Sequence, residues 1–276
     1  MAPEYVGAGD GARSMSMLWG LGQAPTRGPR RGLELDRVVR AAVELADAKG
    51  IDAVSMRRVA ERLGVGTMSL YTYVPGKGEL LDLMLDAVYA ERNESPDKAA
   101  PADDWRARLE AGAREQWAFH KQHPWTLYIA TGRAVLGPNE LTSYERSIAA
   151  VADIGLPARE AVAVIGALSM YVRGAARDAA EAERAAQATG RSEEDWWYER
   201  EPILTEVMTA ERFPVLTRIA AEGGFDVPDD TPNYNLQFIL DDFEFGLQRL
   251  LDGIAAQVER ARAPQPPRRR SRGARR

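Results

Sequence analysis

The two histidines are the chain's first candidates for metal or acid–base chemistry. His120 and His123 lie three residues apart, and the sequence contains no cysteine. Their spacing allows them to share a helix face, but a zinc site needs at least a third protein ligand, and none is evident nearby. Pro124 also fits a helix boundary at this point. The sequence has no glycine-rich phosphate loop and no nucleophile elbow. We therefore predict no enzymatic activity, no metal site and no cofactor.

A more specific arrangement of functional groups lies between Ser55 and Lys77, which reads SMRRVAERLGVGTMSLYTYVPGK. Ser55 suits a helix N-cap, Gly64 ends that helix, and a second short helix follows from Thr67 to Tyr73. Two short helices joined by a glycine-containing turn are typical of a helix-turn-helix, whose second helix enters the major groove of DNA. Short hydroxyl and methyl groups suit base edges, whereas lysine and tyrosine hydroxyls suit phosphates.

Several residues of this segment also have a purely structural interpretation. Tyr71 can belong partly to the core, and Met68 can serve packing alone. Arg58 and Arg62 fit solvent-exposed charges better than base-reading residues. The residues expected to hold the two helices together are Val59, Ala60, Leu63, Val65 and Leu70.

The surrounding pattern is helical throughout, which predicts an all-α fold. One helix runs from Leu35 to about Gly50, and a fourth helix follows Lys77. Further candidate helices cover 103–121, 124–134, 139–154, 157–188, 193–222 with a break near Pro202 or Pro214, and 233–262. We expect a flexible basic arm (1–33), a three-helix, homeodomain-like helix-turn-helix domain (34–96), a C-terminal helical domain (97–263) and a disordered arginine-rich tail (264–276).

The chain has a net charge of −5, and this charge is distributed unevenly along it. Residues 97–263 contain 28 acidic and 18 basic side chains, whereas residues 264–276 contain six arginines and no acid. Arg30 and Arg31 could enter a DNA minor groove, or they could belong to an arm that only aids solubility. The basic tail could add nonspecific DNA affinity, or it could simply be disordered.

The run from Val38 to Met84 resembles the DNA-binding domain of the tetracycline repressor (TetR) family. The most specific part is the pattern LYxYVxxKxxLL, formed here by Leu70 to Leu81. The resemblance implies that Arg57 reaches the groove and that Thr67, Met68 and Ser69 begin the recognition helix. It also implies contacts to phosphates and thymine methyls from Tyr71, Thr72 and Tyr73, and a phosphate clamp at Lys77.

The segment from about 103 to 178 resembles the C-terminal domain of the same family, through Trp105, the sequence HPW at 123–125 and the sequence LGPN at 136–139. The resemblance implies a ligand pocket among these helices and a dimer made by the last long helices. Asn139 suits a helix N-cap better than a ligand contact. The side chains that could line the pocket, or could instead belong to the core, are Trp117, His120, Trp125, Tyr128, Met170, Tyr171, Arg173, Arg177, Trp196 and Trp197.

The resemblance therefore implies a ligand-responsive transcriptional regulator, most often a repressor in this family. Its expected partners are a palindromic double-stranded DNA operator, a second copy of the chain and a small organic effector. A ligand-free architectural DNA-binding protein and an enzyme with a helix-turn-helix appendage remain the alternatives. No apolar run reaches the roughly 20 residues that span a bilayer, so we expect no membrane partner and a cytoplasmic location.

Overall fold

The computed structural model describes residues 4–21, 35–94, 104–130, 132–228, 231 and 233–263. Helices dominate this part of the chain, as the sequence predicts. The helices are α1 (Gly11–Leu18), α2 (Leu35–Lys49), α3 (Met56–Leu63), α4 (Thr67–Tyr71), α5 (Lys77–Glu94), α6 (Trp105–Gln122), α7 (Pro138–Ala149), α8 (Ala158–Thr189), α9 (Glu193–Val207), α10 (Pro214–Ala221) and α11 (Tyr234–Arg262). Two short 3₁₀ turns, Ile51–Ala53 and Pro124–Leu127, and two strands, β1 (Glu4–Tyr5) and β2 (Ile129–Ala130), complete the described elements.

Helices α2 to α5 form a helix-turn-helix domain around one apolar core. Val38, Val59, Leu70 and Met84 each have no more than 1% of their surface exposed. The core continues into the C-terminal half through Phe119 and other buried residues that follow it. Burial of apolar surface at this junction favours a fixed arrangement of α5 against the helices beyond it.

A second core joins α6, α8 and α11, the long helices of the C-terminal half. Leu109, Val172 and Leu247 are buried in it. The 32-residue α8 and the 29-residue α11 are both amphipathic, so each buries one face against the others. These helices and α7 form the framework that surrounds the candidate ligand site.

The prediction of a helix over 124–134 is wrong. Pro124 begins a single 3₁₀ turn instead, and the chain then extends into β2. Strand β1 pairs with β2 in parallel, Glu4 opposite Ile129 and Tyr5 opposite Ala130. Pro124 starts a turn because its ring fixes φ, and the following backbone finds its partners in the N-terminal segment rather than in a helix.

The prediction of a flexible arm over residues 1–33 is also wrong for residues 4–21. Helix α1 begins at the N-cap Asp10, whose side chain accepts the amide of Arg13. Val6 and Ser14 are buried, with 3% and 5% of their surface exposed. Hydrogen bonds to acids of α5 hold much of this segment in place. Such contacts leave no periodic apolar pattern in the sequence, so the sequence analysis did not detect the segment. Arg30, Arg31 and the tail 264–276 lie outside the described residues.

Candidate DNA interface and ligand cavity

The turn between α3 and α4 has the geometry that its sequence predicts. The Ser55 hydroxyl accepts the amide of Arg58 at the start of α3. Gly64 ends α3 in the left-handed conformation, with φ of 68°. A side chain in that conformation is strained, so glycine fixes the direction in which the chain enters α4. Gly66 then precedes α4 in an extended conformation.

Helix α4 buries one side chain and presents the others to solvent. Leu70 is fully buried, whereas 78% of Met68 and 43% of Tyr71 are exposed. Ser69 and Thr72 are also exposed, and the Thr72 hydroxyl donates a hydrogen bond to the Ser69 carbonyl at 2.6 Å. Thr67 is half-buried at the first turn. The exposure of Met68 does not fit its alternative interpretation as a packing residue, and this face is a candidate surface for base edges.

Three arginines follow one another on α3 in different environments. Arg57 lies 3.5 Å from Glu61 in an exposed ion pair. Arg58 donates a hydrogen bond to the Ala53 carbonyl at 3.3 Å. Arg62 lies 2.6 Å from Glu44 of α2, so it fastens α3 to α2. An exposed ion pair is weak, so Arg57 can exchange Glu61 for a stronger anion at little cost.

Two of the four residues predicted to contact phosphates, Tyr73 and Lys77, have partners within the protein. Tyr73 is half-buried and packs against the core of the helix-turn-helix domain. Lys77 begins α5, and its Nζ lies 2.6 Å from Oε1 of Glu4 in strand β1. The sequence gives no sign of this ion pair, because the two residues lie far apart in the chain.

A cavity of about 820 Å³ lies among α5, α6, α7 and α8. One part of its wall is apolar, with Leu109, Leu141 and Ile165 among its residues. Gly112 of α6 and Gly166 of α8 also line it, and a Cβ added at either would meet no atom within 4 Å. The cavity is therefore large because small residues face it, and its volume is within the range for small-molecule sites.

Charged groups lie on another part of the cavity wall. Glu115 accepts from Arg92 at 3.2 Å and from Arg146 at 3.3 Å, so one carboxylate bridges two guanidinium groups. Burial raises the pKa of Glu140, and the Leu136 amide that it accepts at 2.6 Å opposes that rise. Raising the pKa weakens the tendency of Glu140 to carry a negative charge.

Arg108 has an unusual environment on the same wall. Its Nη2 donates to the Ala150 carbonyl at 3.3 Å, while its Nε is buried and finds no acceptor among the described residues. A buried donor without a partner costs free energy. The Nε is out of reach of solvent, so Arg108 must turn toward the cavity before a bound molecule can supply the missing acceptor.

Most of the residues predicted to line the pocket lie elsewhere. Met170 lines the large cavity, and Tyr128, Met170, Arg173 and Arg177 line a smaller pocket of about 480 Å³. Trp117 and Tyr171 pack instead on Phe243 of α11, at ring centroid distances of 4.3 and 5.8 Å. Both are partly buried against the second core, to which Phe243 belongs, and neither lines the large cavity.

Four further predicted residues also lie outside the cavity lining. Trp197 meets Trp196 edge to face, with ring centroids 5.0 Å apart. Trp125 is buried at the junction with α2, where its Nε1 donates to Asp47 at 2.9 Å. His120 is buried beside Thr126. The cavity uses the end of α5, α7 and the small residues of α6 and α8, and its aromatic lining residues are Tyr89 and Tyr144.

The two histidines face different partners. Nδ1 of His120 lies 2.8 Å from the Thr126 hydroxyl. Nδ1 of His123 lies 2.9 Å from Asp47, and its Nε2 lies 3.3 Å from Glu91. Across the described ranges, no cluster of three or more potential metal ligands occurs.

Three buried acids on α5 join it to neighbouring segments, and the sequence analysis missed them. Glu79, Asp82 and Asp86 are at most 7% exposed. Asp82 and Glu79 accept from the N-terminal segment, and Asp86 accepts from the start of α7. Their spacing of three and four residues on one helix face was the available signal. Asn139 is not the N-cap of α7: Gly137 holds that position, and Asp86 satisfies the helix amides in its place.

A helix-turn-helix joined through one helix to a helical domain with a cavity defines the class of one-component transcription regulators. Two family profiles match the chain: "Bacterial regulatory proteins, tetR family" at residues 38–84 and "Tetracyclin repressor-like, C-terminal domain" at residues 96–258. The chain therefore belongs to the tetracycline repressor family, and it is a transcriptional regulator of the repressor type rather than an enzyme.

Individual relatives agree with this assignment. The chain is 42% identical over 266 residues to the HTH-type transcriptional repressor DrrR1 of Streptomyces coeruleorubidus, covering 96% of this chain and 93% of that one. The crystal structure of ActR from Streptomyces coelicolor in complex with actinorhodin is similar with a TM-score of 0.65 and 27% identity, covering 83% of this chain and 98% of that one. In the described part of the chain, no helix combines the length and the apolar character that a membrane crossing requires.

Proposed function

We propose that the chain is a homodimeric repressor that binds a palindromic operator and is released from it by a small organic effector. The observation that carries this proposal is the position of α5. This helix begins at Lys77, directly after α4, and its other end contributes Tyr89 and Arg92 to the cavity wall. A ligand that favours one position of α5 can therefore bias the helix-turn-helix, as coupling between two sites requires.

In this proposal residues 34–96 bind DNA and residues 97–263 sense the effector and dimerise. The exposed face of α4 and Arg57 contact base edges. Lys77, Tyr71 and Tyr73 contact phosphates. The residues assigned to DNA are Arg57, Thr67, Met68, Ser69, Tyr71, Thr72, Tyr73 and Lys77. A two-fold dimer places two recognition helices about one helical turn of DNA apart, which explains the expected palindrome.

The cavity lining favours an effector with apolar surface and at least one oxygen acceptor. Its apolar wall accommodates ring or alkyl surface, and the Arg108 Nε lacks an acceptor among the described residues. The binding of actinorhodin by ActR supports a small-molecule ligand in a fold of this kind. The residues assigned to effector binding are therefore those of the large cavity, with Met170 retained from the sequence prediction.

The decisive experiment fills the cavity without disturbing the helices. DNA is first selected from a random pool with the purified protein, and small molecules are then screened for release of that DNA. Gly166→Leu places a side chain in the open space of the cavity. We expect it to bind DNA normally and to lose its response to the effector. Gly174→Leu is the comparison, since Gly174 lies on the same helix and also faces open space but lines the smaller pocket instead of the large cavity. An unchanged response in that variant assigns the effector to the large cavity.

Two outcomes would contradict the proposal. One is a protein that enriches no DNA sequence and sediments as a monomer at micromolar concentration. The other is a Gly166→Leu variant that the effector releases as readily as the wild type.

A further inference from the structure

Residues 4–21, named here the N-terminal strap, lie outside both ranges that match the family profiles. We propose that the strap restrains DNA binding, because its Glu4 forms an ion pair with Lys77 and so competes with a DNA phosphate for that lysine. The inference rests on the proposed function, in which Lys77 holds a DNA phosphate.

The contact itself is short and partly shielded from water. Glu4 Oε1 lies 2.6 Å from Lys77 Nζ, and the two side chains are 34% and 30% exposed. A carboxylate at this distance neutralises the lysine and would stand next to any phosphate that the lysine held. Like charges at such a distance repel, so DNA binding requires Glu4 to leave or to accept that repulsion.

Acids of α5 hold the strap in place. The Gly7 amide and the Ser14 hydroxyl each donate to Asp82 at 2.7 Å, and the Asp10 amide donates to Glu79 at 2.9 Å. Asp82 is only 2% exposed. Buried carboxylates need such donors, so these hydrogen bonds make the docked strap part of the folded domain rather than a passing contact.

The strap's backbone also lies very close to α5. A Cβ added to Gly78 would come within 2.7 Å of the Gly9 backbone nitrogen. That approach requires glycine on α5, so a single methyl group at Gly78 is enough to push the strap away.

The same strap reaches the edge of the effector cavity. Strand β1 pairs with β2, and the Trp19 Nε1 donates to the Leu136 carbonyl at 3.0 Å. Leu136 lines the cavity and has a positive φ of 59°. The strap thus forms a second connection between the cavity rim and Lys77, packed along α5.

The test is a double-mutant cycle on the full chain, measured with a fluorescent DNA duplex of mixed sequence at low salt. We expect Glu4→Gln to tighten binding about two- to fivefold, the range expected when one partly exposed ion pair no longer competes. In the Lys77→Ala background the same change should have no effect. Asp52→Asn is the control for net charge, since Asp52 is an exposed acid in the Ile51–Ala53 turn.

Equal affinities for Glu4→Gln and wild type overturn the inference, as does an equal gain in the Lys77→Ala background. A wild-type protein that binds no duplex at all overturns the proposed function as well, so the two failures are distinct.

Gly78→Ala gives an independent test, because alanine preserves the helix while its methyl group displaces the strap. We expect faster amide hydrogen exchange over residues 4–14 together with tighter DNA binding. Exchange that speeds up with no change in DNA affinity also overturns the inference.

Discussion

The side-chain amide of Asn139 donates a hydrogen bond to Asp86 at 2.9 Å and thereby joins α7 to α5. The other oxygen of Asp86 accepts the backbone amides of Asn139 and Glu140 at 3.0 and 2.9 Å. The first amides of a helix have no partner within it, so a carboxylate supplied by a second helix satisfies them and interacts favourably with the helix dipole. Since α7 forms one wall of the cavity, Asp86 fixes that wall to the helix that begins beside the DNA-reading surface.

We predict that Asp86→Ala weakens the response to effector more than it weakens DNA binding. The substitution leaves two α7 amides without their acceptor and should also lower the free energy of unfolding by about 1–3 kcal/mol. Urea unfolding measures the stability change, and DNA release at increasing effector concentration measures the coupling. Asp86→Asn is the near-isosteric comparison, which should lose less of both. A normal release curve for Asp86→Ala would remove Asp86 from the coupling route.

A second prediction separates phosphate contacts from base contacts. Lys77→Ala should weaken binding to all sequences and reduce the slope of log K against log salt by about one. Changes at Thr67 or Ser69 should instead alter which sequence is selected, because base contacts carry discrimination. Lys49→Ala provides the control, since Lys49 is an exposed lysine at the end of α2 and is not among the residues assigned to DNA. An unchanged salt slope for Lys77→Ala contradicts the assigned phosphate contact.

The helix-turn-helix could be read from the sequence because its signals are local. The Ser55 cap, the left-handed Gly64 and the buried Leu70 each depend on a few neighbouring residues, and the structure confirms all three. The limits of α8 and α11 were predicted to within a residue or two for the same reason. Long amphipathic helices repeat their apolar pattern many times.

The cavity and the strap could not be read in the same way. The aromatic residues expected in the pocket, such as Trp117 and Trp125, pack in cores where large rings bury the most surface. Empty space arises where small residues of different helices line the same cavity, as Gly112 and Gly166 do. The strap depends on contacts between residues more than 60 positions apart, such as Ser14 with Asp82. No local sequence pattern predicts contacts of that kind.

His120 should make the protein less stable below pH 6.5. The Thr126 hydroxyl donates to the His123 carbonyl at 2.7 Å, so Nδ1 of His120 must be the donor to that hydroxyl. Its Nε2 is then an unprotonated, buried nitrogen with no partner among the described residues. Burial first, and then the charges of Arg173 and Arg92, lower the pKa of His120 to about 3.

The sign follows from the ordinary pKa of 6.5 in the unfolded chain. Between pH 6.5 and about 3 the unfolded state binds a proton that the folded state does not, so stability falls as the pH falls. We expect a loss of about 1 kcal/mol between pH 7.5 and 5.5 from this group. Urea unfolding at several pH values measures it, and His120→Gln should flatten the dependence in that window. An equally steep profile in His120→Gln would assign the dependence to another group.

The last prediction concerns Arg108, whose buried Nε lacks an acceptor among the described residues. If Arg108 turns toward the cavity when an effector binds, an effector oxygen that meets this Nε forms a hydrogen bond to a charged donor, which contributes about 1.5–3 kcal/mol. Arg108→Gln should therefore weaken effector binding at least about tenfold, since 1.4 kcal/mol corresponds to a factor of ten. DNA binding without effector should not change, because Arg108 lies on α6 and not on the helix-turn-helix.

Arg106→Gln is the matched control: Arg106 lies on the same helix but pairs with Asp252, outside the cavity lining. Titration calorimetry with an effector recovered from the release screen gives both affinities. Equal losses in the two variants would indicate a general effect on α6, and no loss in Arg108→Gln would show that the effector leaves this donor unused.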